Sequence, residues 1–315
     1  MPELPEVETV ARTLAPQVCG RRIVRISVLN ARTWQGATAA GDVETSRPCI
    51  RGVGRRGKLL LLHFGEDGTG QCDTGAEIPV PTRVEQWPLI YSAAGIEQGR
   101  PALEGRTRGE VTALAFHLRM TGRLFVYPQG TEPGAHTRVI FDLDDGRRLF
   151  FDDTRKFGQV RALCKQELDA WKFLSELGPE PLEISPQEFA SCFKSRKAVK
   201  ALLLYQAVVA GVGNIYADES LFRAGIRPDV KGDALSAERL EALHKALVEV
   251  LLLSIRECGS SIRDYRTARG DVGAFQNSFY VYGRGGEACR TCGTKLESSR
   301  VAGRATVFCP KCQKH

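Results

Sequence analysis

Cys289-Arg290-Thr291-Cys292 and, sixteen residues on, Cys309-Pro310-Lys311-Cys312 make up the stretch from which the fold can first be read. A two-residue gap lets both sulfurs of a knuckle reach one tetrahedral ion, and the spacer has the length of a β-hairpin. Gly293, directly after the first pair, permits the tight turn. Four thiolates close a coordination shell, so Cys289, Cys292, Cys309 and Cys312 are expected to hold one structural Zn2+ that organises a hairpin and activates no water. The other six cysteines (Cys19, Cys49, Cys72, Cys164, Cys192, Cys258) are scattered and are expected in cores as free thiols, as suits a reducing compartment.

Outward from this hairpin the charge is uneven. The chain carries 44 Lys and Arg against 37 Asp and Glu, a net charge of +7. From Gln276 to the end, Arg284, Arg290, Lys295, Arg300, Arg304, Lys311 and Lys314 face only Glu287 and Glu297. This tail holds most of the surplus, which points to a polyanionic partner. Arg304, in Ala302-Gly303-Arg304-Ala305-Thr306, is expected near the hairpin tip. At 315 residues there is room for two domains and a small appendage. No apolar run approaches the roughly 18 residues of a membrane span. The acidic amino terminus lacks the basic-then-apolar order of a signal peptide, so a cytoplasmic location is expected.

Before the hairpin the periodicity is helical. Residues 197–208 carry an apolar helical stripe, and Ala210-Gly211-Val212-Gly213-Asn214 leads into a second helix from Ile215 to Ala224. Tyr216 stands where a dinucleotide fingerprint needs glycine, and no Gly-Lys-Ser/Thr follows, so this turn is no nucleotide loop. It is expected to present backbone N–H groups to one phosphate, with Asn214 as cap. Ser236 caps a long helix to about Glu257, and residues 260–276, rich in Gly, Arg and Ser, read as a mobile loop. The first half is β-rich, with strand patterns at 21–30, 58–64, 112–127, 137–143 and 147–163, and a hairpin signal at Asp144-Asp145-Gly146. Residues 65–111 show little periodicity and read as an inserted surface segment.

The chain opens Met1-Pro2-Glu3-Leu4-Pro5-Glu6-Val7-Glu8-Thr9. Pro5 at a first helical position and acidic residues in the first turn start a helix whose apolar stripe is Leu4, Val7, Val10, Ala11 and Leu14. Removal of Met1 would also leave Pro2 as a free secondary amine. An α-amino group with a pKa of about 8 is partly neutral near pH 7, and its iminium with an aldehyde-like carbon acts as an electron sink.

The opening Pro2–Thr9, the middle Gly211-Val212-Gly213-Asn214-Ile215-Tyr216-Ala217-Asp218-Glu219 and the closing Arg304-Ala305-Thr306-Val307-Phe308-Cys309-Pro310-Lys311-Cys312-Gln313 together resemble the formamidopyrimidine-DNA glycosylase family. The resemblance spans nearly the whole chain outside 65–111. It implies an α+β protein: an N-terminal β-sandwich with a leading helix over 1–165, a helix–two-turn–helix domain over 166–275 and a zinc β-hairpin over 276–315. It implies a single chain acting on double-stranded DNA with oxidised purines or abasic sites, extruding the damaged nucleotide.

Site residues follow residue by residue from the same resemblance. Pro2 would attack the anomeric carbon and Glu3 would act as general acid. Glu6 would be the second carboxylate. Lys58 would assist β-elimination and hold phosphate, and Arg304 would serve phosphate binding and δ-elimination. Met120 would fill the void, Arg155 would pair with the orphaned cytosine, and Phe157 would wedge beside it. His136, Lys197 and Asn214 would contact phosphates, and the 260–276 loop would close over the oxidised purine. Arg119 stands where the family usually has glycine. The alternatives are an endonuclease VIII-like enzyme for oxidised pyrimidines, or a DNA-binding protein without chemistry. Met120, Arg155, Phe157 and the long loop favour the oxidised-purine enzyme over the first. Intact Pro2, Glu3 and Lys58 argue against the second.

Overall fold

In the computed structural model the described residues are 1–65, 89–92, 95–98, 111–164, 167 and 170–314. The chain forms two compact units, Met1–Ser175 with Cys258–Gly273, and Glu176–Glu257 with Ala274–His315. Contacts therefore group residues 258–273 with the amino-terminal half and the four-cysteine segment with the helices.

In the first unit, helix α1 (Leu4–Val18) starts at Pro5 and buries the stripe Leu4, Val7, Val10, Ala11 and Leu14. Pro5 lacks only an N–H that a first turn could not bond anyway. A short helix α2 (Ala40–Ser46) and strands β1 (Ile23–Val28), β2 (Trp34–Gln35), β3 (Cys49–Arg56) and β4 (Leu59–Gly65) follow. Strands β5 (Leu89–Ser92), β6 (Gly95–Gln98), β7 (Ala113–His117), β8 (Gly122–Tyr127), β9 (Thr137–Leu143), β10 (Arg148–Asp153) and β11 (Gln159–Leu163) complete two sheets.

One sheet runs β1-β9-β10-β8 and the other β2-β11-β7-β4-β3-β5-β6. Phe116 on the larger sheet meets Phe141 and Phe151 of the smaller, with ring centroids 5.7 and 5.9 Å apart. These rings fill a sandwich interior, and α1 lies on β3 and β4. Within the insert expected at 65–111, β5 and β6 form a hairpin that extends the larger sheet through β3, which the weak periodicity there did not signal. The remainder of that segment lies outside the described residues. The expected single runs at 112–127 and 147–163 are each two strands broken by a turn, and both turns carry site residues.

The second unit holds α4 (Pro186–Ser191), α5 (Val199–Leu204), α6 (Asn214–Arg223) and α7 (Ala237–Arg256), after a one-turn helix α3 (Lys172–Ser175) that ends the first. Ser236 caps α7 as expected, its hydroxyl accepting from the Arg239 N–H. Strands β12 (Glu297–Val301) and β13 (Arg304–Phe308) form the terminal hairpin. Phe222 of α6, Val281, Leu296 and Val307 pack with Cys289 and Cys309 into the core of that hairpin. No helix among the described residues is long and apolar enough to cross a membrane.

Candidate active site

Pro2, Glu3, Glu6 and Glu8 are all buried at the amino-terminal end of α1. Glu6 holds this end rigid. One of its oxygens accepts the Glu3 N–H at 2.9 Å and the other accepts the Ser260 N–H at 2.8 Å. Two charge-assisted bonds thus tie one carboxylate to the backbone beside Pro2 and to the distant 258–273 strap. The strap continues along the helix, with Tyr265 Oη donating to the Glu6 carbonyl and the Ala268 N–H donating to Thr13 Oγ1. Gly259, at φ +80°, passes so close that a Cβ would stand 3.1 Å from the Glu6 side chain.

Lys58 is buried in the two-residue turn between β3 and β4, where Gly57 supplies the positive φ. Arg55, on the arm of the same hairpin, bonds Glu8 of α1 at 2.7 Å, with both side chains almost wholly buried. This ion pair fixes the Lys58 hairpin to the helix that carries Pro2. His117 neighbours it, cross-strand from Leu59. Burial, then the positive charges of Arg119 and Lys58, lower its pKa to about 3, so the ring is neutral at pH 7. Its Nδ1 accepts from the Arg119 N–H, leaving the proton on Nε2 as a donor.

The two broken turns meet at Asp153, which is fully buried. Its carboxylate accepts from Thr121 Oγ1, from the Arg155 N–H at 3.2 Å and from the Gly158 N–H at 2.7 Å. A Cβ on Gly158 would lie 2.6 Å from Phe151, and one on Gly122 would lie 2.5 Å from the Leu118 carbonyl, so both turns need glycine there. Arg119 adopts φ +53°, a conformation that favours glycine. Out of context Met120 and Phe157 would more often be core residues, yet they are 40% and 53% exposed. Arg155 donates to Met120 Sδ at 3.0 Å and lies 5.0 Å over the Phe157 ring, so the three stand together on the surface. His136 is exposed, its carbonyl accepting from the Asp153 N–H.

In the second unit, Asn214 is the first residue of α6 and Gly213 is its cap, which corrects the expected Asn214 cap. The Asn214 Nδ2 instead donates to the Ala305 carbonyl at 2.9 Å. Lys200, fully buried, reaches the same carbonyl at 3.0 Å, Thr306 Oγ1 at 2.8 Å and Asp218 at 2.7 Å. Burial raises the Asp218 pKa to about 6 against the pull of Lys200. These bonds clamp the hairpin tip, from which Arg304 projects exposed. Lys197 is exposed, with Nζ 5.4 Å over the Tyr205 ring. Gln206 braces the glycine turn, accepting from the Gly211 N–H and donating to the Val212 carbonyl.

The sulfurs of Cys289, Cys292, Cys309 and Cys312 all lie within 4.8 Å of one another. Tetrahedral Zn–S bonds of about 2.3 Å put sulfurs about 3.8 Å apart, and the 3.5 Å and 4.0 Å pairs here bracket that value. The donor set fits one structural zinc ion. Of the remaining cysteines, Cys19, Cys49 and Cys164 are buried as expected, whereas Cys192 and Cys258 are half-buried. Cys72 lies outside the described residues.

Three family models cover this chain: the formamidopyrimidine-DNA glycosylase N-terminal domain over residues 1–160, its H2TH domain over 177–266, and the zinc finger found in FPG and IleRS over 286–314. The chain belongs to the formamidopyrimidine-DNA glycosylase family. It is 48% identical to the formamidopyrimidine-DNA glycosylase of Nitratidesulfovibrio vulgaris and 39% identical to that of Geobacillus kaustophilus, with all of each chain covered. Among solved structures it is similar to the Lactococcus lactis Fpg in complex with DNA containing an abasic site, at TM-score 0.77 and 30% identity over 99% of this chain and 100% of that one. It is equally similar to MutM in complex with DNA containing carbocyclic 8-oxo-G, at TM-score 0.77 and 30% identity over the whole of both chains.

For this family member, the structure brings Pro2, Glu3, Glu6 and Lys58 into one buried framework, and Met120, Arg155 and Phe157 onto one exposed patch. Sequence reasoning passed over Arg55 and Glu8, His117, Asp153 and Lys200. His117 and Asp153 do stand beside the expected Met120 and Arg155, three and two residues before them, which was a local signal. Arg55, Glu8 and Lys200 act through partners distant in the chain.

Proposed function

We propose that this protein is a bifunctional glycosylase and lyase that removes 8-oxoguanine and formamidopyrimidines from double-stranded DNA. The observation that carries the reading is the buried Pro2–Glu3 pair at the head of α1, held by the Glu6 bond to the Glu3 N–H. With Met1 removed, the Pro2 nitrogen attacks C1′ of the extruded nucleotide, the C1′–base bond breaks, and the base leaves with its electron pair. Glu3 protonates the ring oxygen as the sugar opens, and the nitrogen lone pair completes a cationic Schiff base. That cation acidifies the C2′ proton, whose removal expels the 3′ phosphate. A second elimination expels the 5′ phosphate.

Lys58 and the Nε2–H of neutral His117 supply a cation and a neutral donor for the phosphates flanking the lesion. Arg304, Lys197, His136, Asn214 and the amino terminus of α6 engage further phosphates. Met120, Arg155 and Phe157 occupy the gap left in the duplex, Arg155 offering its donors to the acceptors of the unpaired cytosine. The domain ranges 1–165, 166–275 and 276–315 serve as working divisions, and the protein acts as a single chain, in the cytoplasm and on the nucleoid.

The test is borohydride trapping on duplexes carrying 8-oxoguanine opposite cytosine. The wild type should become covalently joined to the DNA and Pro2→Gly should bind without trapping. Equal trapping by Pro2→Gly would refute the nucleophile, and preferential release of thymine glycol would shift the reading to the oxidised-pyrimidine enzyme.

A further inference from the structure

Arg12 projects from α1 into the base of the 258–273 strap, and its guanidinium is a buried cation without an anionic partner among the described residues. The residue is 9% exposed, and its Nη1 is buried with no hydrogen-bond partner. Its one hydrogen bond among the described residues is from Nη2 to Cys258 Sγ, 3.6 Å away across 246 residues of chain. Neither of the other polar groups at hand accepts a hydrogen bond from its Nη1. Both Glu6 oxygens are taken by backbone N–H groups. The Tyr265 hydroxyl has its pKa raised well above the ordinary tyrosine value, first by burial and then by the Glu6 charge, so it stays neutral. A buried donor left without an acceptor is costly, and an oxygen atom could supply that acceptor here.

Cys258 itself is half-buried. It is held at φ +58° between α7 and Gly259, and the strap closes on it from the other end: a Cβ on Gly273 would lie 2.6 Å from the Cys258 carbonyl. The thiol therefore sits at the pinched base of the strap with a donor fork aimed at its sulfur.

We propose that Cys258 is a peroxide-reactive thiol, and that Arg12 receives the oxygen its sulfur gains. The sulfur attacks one oxygen of a hydroperoxide. The S–O bond forms as the O–O bond breaks, the thiol proton passes to the departing alkoxide or hydroxide, and the sulfur is oxidised by two electrons while the peroxide is reduced to alcohol or water. The new oxygen gives Arg12 Nη1 its acceptor, and a charge-assisted bond fastens the base of the strap to the helix that carries Pro2. The strap already rides on that helix through Ser260, Tyr265 and Ala268. Oxidation thus stiffens the segment that the family resemblance implies closes over the extruded purine, a role the proposed function would need. Only this last consequence rests on that functional reading.

Cys192 provides an internal comparison, being half-buried too, with burial pushing its thiol up and its sulfur donating to the Glu188 carbonyl. The full-length, zinc-loaded protein is exposed to limiting hydrogen peroxide with dimedone present, and adducts are mapped by peptide mass spectrometry. Cys258 should label about tenfold faster than Cys192, and Arg12→Gln should bring the two rates together. Equal rates in the wild type, a comparison that needs no variant, would overturn the proposal, as would unchanged Cys258 labelling in a folded Arg12→Gln protein. In parallel, peroxide should reduce 8-oxoguanine release severalfold in the wild type while sparing cleavage of abasic DNA. Cys258→Ser should retain both activities after the same treatment. Equal peroxide sensitivity in Cys258→Ser would overturn the consequence for the strap. Inactivity of the untreated protein on either DNA would count against the proposed function and leave the labelling result standing.

Discussion

His63 and His117 are buried imidazoles on adjacent strands, and burial holds both neutral, with pKa values lowered to about 4 and about 3. A group whose folded pKa is depressed below about 6.5 binds fewer protons folded than unfolded between the two values, so stability is lost as pH falls through that window. For His63 alone the loss at pH 5.5 is about 1.4 kcal/mol relative to pH 7.5. Urea unfolding at the two pH values should show it, and His63→Gln should reduce the pH dependence by about that amount; an unchanged slope would contradict a buried neutral His63. Arg119, at φ +53°, carries backbone strain that glycine would not. Arg119→Gly is expected to raise stability by about 1 kcal/mol in the same assay.

At the scale of elements, the turns and hairpins are held by single buried side chains. Asp153 takes three donors from the turns that display Met120, Arg155 and Phe157. Asp153→Ala strands those donors and should cost about 3 kcal/mol, while lowering affinity for duplex DNA containing an extruded lesion. A cost below 1 kcal/mol by denaturant titration would show that the turns stand without it. Lys200 plays the corresponding part for the β12–β13 hairpin. Lys200→Met leaves Asp218 buried without its cation and should destabilise the second unit by about 4 kcal/mol. Lys200→Met with Asp218→Leu should recover most of that loss, because the desolvation of both charges disappears together.

Across the whole molecule, a net charge of +7 and exposed Arg304 and Lys197 predict DNA affinity that falls linearly with salt on logarithmic axes. Lys197→Ala should lower that slope by about 1 and weaken binding to all sequences alike. Removing zinc with a chelator, or Cys309→Ala, should unfold the terminal hairpin and weaken DNA binding. The sandwich of the first unit should keep its near-ultraviolet aromatic signal, since its Phe116, Phe141 and Phe151 core shares no residue with the cysteine hairpin.

Much of this protein was legible in its residues alone, and the reason is locality. The Cys-x-x-Cys pairs, Pro5 at a helix start and the Ser236 cap each express their physics within one turn of chain. The α1 stripe and the alternating strands needed only a helical or a two-residue period. Legibility ended where partners are distant. Glu6 with Ser260 lie 254 residues apart and Arg12 with Cys258 lie 246 apart, while Arg55 with Glu8 and Asp153 with Thr121 bridge separate elements. The exposure of Met120 and Phe157, which composition alone assigns to a core, was decided by the same buried carboxylate. Burial is a property of the assembled chain: it neutralises His117, lifts the Asp218 pKa and leaves Arg12 in want of an acceptor, and none of these follows from a residue and its neighbours in sequence.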